Sequence, residues 1–151
     1  MAVHYSGLDI TLTAAEDLSA MQYRFVHQAT DTTVDMLDSG TEYPVGILQN
    51  APADGETAVI RINGTSKLVV NNQMQLNRWI KAEYVGAADN GKGDVADTAH
   101  DHARAVCIKI AGAENDVAGV LLTDSTHQLS ATLTTTAAPT TTASPTTTAP
   151  P

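Results

Sequence analysis

Short runs of period-two alternation, each bounded by a turn signal, constrain this chain more than any other feature. Ile10 and Leu12 alternate with Asp9, Thr11 and Thr13. Met21, Tyr23, Phe25 and His27 take one side of an extended segment, and Gln22, Arg24 and Val26 the other. Val34 and Met36 follow the same rule, Ile60 and Ile62 oppose Arg61 and Asn63, and Val106, Ile108 and Ile110 oppose Cys107 and Lys109. Alternation of this kind marks half-buried strands. The runs are separated by Asp38-Ser39-Gly40, Pro52-Ala53-Asp54-Gly55, Asn63-Gly64, Asp89-Asn90-Gly91 and Ala111-Gly112. Asn63-Gly64, between Ile62 and Leu68, predicts a β-hairpin, because a type I′ turn needs positive φ at both central residues. Helix signals are brief: one turn over 14–20 after Thr13, and a short segment over 72–80 with Asn72 as cap. Neither carries a sustained 3.6-residue apolar stripe. The expectation is a mainly β domain.

From about Ser130 the composition changes. Residues 131–151 hold no charge and no aromatic, and after Leu133 no large aliphatic side chain. They end in the hexad T-T-T-A-x-P written three times, from Thr134 to Pro151. Such a segment cannot bury enough apolar surface to fold alone. Proline at every sixth residue favours an extended or polyproline II chain. The chain therefore divides into a folded part, 1–130, and a Thr/Pro-rich tail, 131–151.

The net charge is −9, and all 17 carboxylates lie between Asp9 and Asp124, whereas the eight basic residues are scattered singly. This argues against nucleic acid, which calls for a basic patch, and against an anionic membrane surface. Cys107 is the only cysteine, so no intramolecular disulfide can form. No apolar run approaches the length of about 18 residues that a membrane helix needs, and MAVHYSGLDI lacks the basic and apolar regions of a signal peptide. Synthesis in the cytosol is expected, so the Asn63-Gly64-Thr65 sequon reads as a turn rather than a glycan acceptor.

Few residues suggest chemistry. Gly86-Ala87-Ala88-Asp89-Asn90-Gly91-Lys92-Gly93 has the spacing of a phosphate-binding loop but ends in Gly where Ser or Thr should hold magnesium. The acidic stretch after it opposes a triphosphate, so a Gly/Asp hairpin loop is the expected reading. Asp89, Asp94 and Asp97 lack the frame of a calcium loop. His100 and His102 share a strand parity, but Cys107 falls on the other one, and no third ligand is near. Cys107 lies in the apolar AVCIKIAG, where a thiol is usually a small buried hydrophobe. No catalytic, metal or cofactor site is expected, and the chain reads as a binding protein rather than an enzyme. The residues singled out for binding are Val3, His4, Tyr5 and Leu8 of the apolar N-terminal segment, with Tyr43, Pro44 and Trp79.

Three stretches together, ITLTAAEDLSAMQYRFVHQATDTTVDMLDSG, YPVGILQNAPADGETAVIRINGTSKLVV and AVCIKIAGAENDVAGVLLT, resemble the small capsid decoration (cement) proteins of tailed bacteriophages. The similar features are the early D-L-S-A-x-Q-Y-R segment, the central P-V-G-I-L-Q-N-x-P-x-x-G-E segment and the final A-G-A-x-x-x-V-x-x-x-L-L strand, over residues 8–123. The resemblance implies a small β-barrel or β-tulip-like domain, commonly a homotrimer, seated on the outer surface of a virion. There it binds major capsid protein subunits and stabilises the shell. In that setting the seven residues above are candidates for the capsid or trimer interface. The competing reading is a receptor- or carbohydrate-binding β-module on a Thr/Pro stalk.

Overall fold

The computed structural model describes residues 4–97 and 102–128, with backbone alone for 124–128. Nine strands follow in order: β1 (Gly7–Ala14), β2 (Phe25–Gln28), β3 (Thr33–Met36), β4 (Gly46–Leu48), β5 (Thr57–Val69), β6 (Trp79–Ala82), β7 (Gly93–Val95), β8 (His102–Lys109) and β9 (Val117–Gln128). Among the described residues there is no helix, and the molecule is all-β. Val3, the His100-Asp101 part of the histidine motif and the hexad tail lie outside the described residues.

The strands form one sheet in the order β1-β3-β2-β4-β5-β9-β8-β6-β7, and β1 also pairs with β5. That extra pairing, antiparallel from Gly7↔Gly64 to Thr13↔Thr57, closes β1, β3, β2, β4 and β5 into a ring. Beyond the ring the sheet continues through β9, β8, β6 and β7. A bridge between Val70 and Gly93 brings β7 back beside the end of β5. The sheet is therefore ringed in part and is not one closed barrel, and β5 runs through both halves.

Two apolar clusters fill these halves. Val26, Val34, Met36, Leu48, Ala58 and Ile60 pack with Ile10, Leu12 and Ile62 in the first, all from the five ring strands. Phe25, Leu37, Ile47, Leu68, Ile80, Cys107 and Val120 belong to the second. Each fully buried Leu, Ile or Phe contributes about 1.5–3 kcal/mol relative to exposure, so aliphatic side chains supply most of the cohesion in a chain with few aromatics. Across the ring, Arg61 donates to both Asp9 carboxylate oxygens, at 2.7 and 2.9 Å. This bond holds the Asp9 carboxyl below the usual carboxylate range and raises the Arg61 guanidinium.

Three expectations are corrected. Asn63-Gly64 does not turn the chain: β5 runs unbroken through it. Gly64 has φ of 93°, and a Cβ there would stand 2.5 Å from the Ser6 carbonyl oxygen and 2.6 Å from Gly7 Cα. The glycine thus marks a close approach of two backbones inside a strand rather than a hairpin tip. The helical turns over 14–20 and 72–80 are absent. Ala14 ends β1, Leu18 N donates to Pro52 O at 2.9 Å, and Met74 bridges Ala111. The alternation of Met21 to His27 yields a strand only from Phe25, because Tyr23 sits at φ 65° and Arg24 N closes a turn onto Met21 O.

Candidate functional site

On β8 the inward positions are Ala103, Ala105 and Cys107, all wholly buried. Small residues there let the strand approach the second cluster closely, which turns the bulkier Val106 and Ile108 outward. Direct antiparallel partners point to the same face of a sheet. Thr65 pairs with Leu121, Leu121 with Val106, and Val106 with Trp79, so these four side chains form a row across β5, β9, β8 and β6. A second row runs through Lys67, Gly119 and Lys109, and Val69 pairs with Val117 beyond it. The outer face is markedly apolar for a solvent-facing surface: Leu121 is 43% exposed, Val117 39% and Ile108 36%, and Ile110 just beyond β8 is 61% exposed.

The N-terminal segment crosses this face. The Thr65 hydroxyl accepts from Ser6 N at 2.9 Å and donates to His4 O at 3.1 Å, and Thr65 N donates to Ser6 O at 2.7 Å. Tyr5 then lies over Gly119. A Cβ at 119 would stand 2.7 Å from Lys109 Cβ and 3.0 Å from the Tyr5 hydroxyl. The glycine is the seat that lets the ring settle between Lys67 and Lys109. Lys67 Nζ is 5.2 Å from the centroid of the Tyr23 ring, a favourable cation–π geometry. Among the described side chains of the face, none is a carboxylate.

The opposite end of β5 has the reverse character. The loops over 14–20, 29–33 and 50–57 meet there, joined by Gly55 N to Ala14 O, Leu18 N to Pro52 O and Ala15 N to Val34 O. With adjoining β3 they carry Glu16, Asp17, Asp31, Asp35, Asp54 and Glu56 and no Lys or Arg.

A separate patch surrounds Tyr43, which is 58% exposed and meets the His102 ring edge-on at 4.8 Å. Tyr84, with its ring against Gly40, and the exposed Val85 lie beside a cleft of about 80 Å³ that includes Pro44, Glu42, Lys81 and His102. Of the residues singled out from sequence, Tyr5 and Trp79 therefore come together on the outer sheet face, with His4 at its margin. Tyr43 and Pro44 belong to the other patch, Pro44 buried. Leu8 is 59% exposed at the start of β1. Missed were Leu121, Val117, Lys67 and Lys109, as was the outward turn of Ile108 and Ile110. The run of small residues Ala103, Ala105 and Cys107 is the signal that could have found this parity.

The remaining sequence candidates are internally engaged. Lys92 is 2% exposed, and its ammonium binds Asp89 at 2.7 Å and Glu114 at 3.3 Å within the β6–β7 hairpin loop and its neighbour. Burial pushes the Cys107 thiol above its usual range, and Cys107 Sγ donates to Lys109 O at 3.2 Å.

No protein family matches the chain, and no curated protein does. Solved structures give a different answer. The chain is similar to the N base of the head fiber protein gp8.5 of bacteriophage phi29, with a TM-score of 0.58 over 81% of this chain and 98% of that one, at 10% identity. Its fold is shared with a phage head-fibre base. At that identity the likeness is one of architecture, and the side chains of the outer face are this chain's own.

Proposed function

We propose that this protein is a structural component of a phage virion, bound as a homotrimer to the outer surface of the capsid through major capsid protein subunits. It works by adhesion rather than by catalysis, and it carries its Thr/Pro hexads as an extension away from the shell. One observation carries the reading: the fold likeness takes in nearly the whole of a head-fibre base, 98% of that chain. The exposed apolar sheet face is consistent with it, since contiguous apolar surface on a soluble domain marks an interaction site. Many symmetry-related copies on one shell make a modest affinity per copy sufficient through avidity.

Co-sedimentation with capsids that lack the protein tests the reading, using the full chain beside one ending at Ser130. Both forms are expected to pellet with capsids and to remain in the supernatant without them. Failure of both to bind removes the proposal. Binding by the full chain alone moves adhesion into the hexads.

A further inference from the structure

The outer face of β5, β9, β8 and β6 is apolar along Leu121, Val106 and Trp79, and it is basic through Lys67 and Lys109. Among the described residues neither lysine has a carboxylate partner, whereas Arg61 and Lys92 do. In a chain of net charge −9, a face with no carboxylate among its described side chains is a surface prepared for a negative partner. A surface of that sign exists on the chain itself, in the loops at the far end of β5 around Asp31 and Asp54. We infer that this face is where a second copy docks, by a heterologous contact in which Lys67 and Lys109 of one copy meet the carboxylate-bearing loops of the next. Unlike patches joined in this way build a ring when the rotation between copies closes.

The inference rests on the reading above only in expecting copies to associate; it does not depend on capsid binding.

Sedimentation velocity of the full chain, without capsids, tests it with a charge exchange. Wild type is expected to form an oligomer at low ionic strength that dissociates as salt rises, because screening weakens exposed charge pairs. Lys67→Glu/Lys109→Glu and, separately, Asp31→Lys/Asp54→Lys are each expected to weaken association by about tenfold or more. Circular dichroism on each variant checks that the β fold is retained. An equimolar mixture of the two variants is expected to associate again, since each supplies the sign the other has lost; a loss of folding could not produce that recovery. A wild-type monomer at all concentrations overturns the inference, and so does an unchanged oligomer in both variants or a mixture that stays dissociated. A monomer that still binds capsids, less well in the lysine variant, assigns the face to the capsid. That result overturns self-docking, and with it the trimer, while leaving capsid binding in place.

Discussion

The backbone N–H of Met36 donates to two carboxyl groups, Glu16 at 3.1 Å and Asp35 at 2.7 Å. Asp35 beside it raises Glu16 above its ordinary range, and partial burial adds to this. A carboxyl whose folded pKa is raised contributes stability below its unfolded pKa and loses it as pH rises through the folded value. Glu16→Gln keeps an acceptor for Met36 N–H and removes the titration. The variant is expected to match wild type near pH 4 and to exceed it by about 0.5 kcal/mol at pH 7, a figure discounted for solvent screening. Thermal melts across that range check it; a variant no more stable than wild type at pH 7 would count against the raised Glu16. On the outer face, Gly119→Ala forces Lys109 and Tyr5 apart and is expected to cost about 1–2 kcal/mol in urea unfolding. Individual side chains are also where sequence reading was weakest. Alternation in AVCIKIAG revealed two faces of a strand but not which one is buried, and the larger Ile108 and Ile110 drew attention from the small Ala103, Ala105 and Cys107 that the core accepts. Tyr5 was legible as apolar surface near a terminus; its seat on Gly119 was not, since 114 positions of chain separate them.

Among the elements, β5 shows how local turn chemistry yields to tertiary context. Asn63-Gly64 has the composition of a hairpin tip, and Gly64 does adopt positive φ, yet β1 pairs along the N-terminal half of β5 and β9 along its C-terminal half. The glycine serves the place where Ser6 and Gly7 press against the strand. Gly64→Ala adds strain at φ 93° to a clash with fixed backbone, and is expected to cost about 2–4 kcal/mol by urea denaturation. A hairpin tip free of contacts would tolerate alanine far better. The strands themselves were legible wherever alternation coincided with burial, as in β1, β3 and β5. The segments over 14–20 and 72–80 were not, because their order comes from backbone bonds to distant residues such as Pro52 and Ala111.

At the scale of the whole molecule, charge is distributed along β5, with carboxylate-bearing loops at Thr57 and the lysine-flanked apolar face towards Val69. The all-β architecture could be read from strand and turn motifs. The polarity could not, because it arises only when loops separated in sequence are gathered at one end. β5 also gives both halves of the sheet a common member, so neither half can come apart without stripping partners from the other. The last described strand has a related property. β9 is hydrogen-bonded to β5 on one edge and to β8 on the other, antiparallel to both. A pull delivered from the chain beyond Gln128 therefore reaches the domain along the axis of an interior strand. It loads two ladders in shear at once instead of unzipping one bond at a time. Resistance to such a pull is governed by the rate of forced unfolding rather than by equilibrium stability, which makes this sheet a mechanical anchor for whatever drag the trailing segment meets.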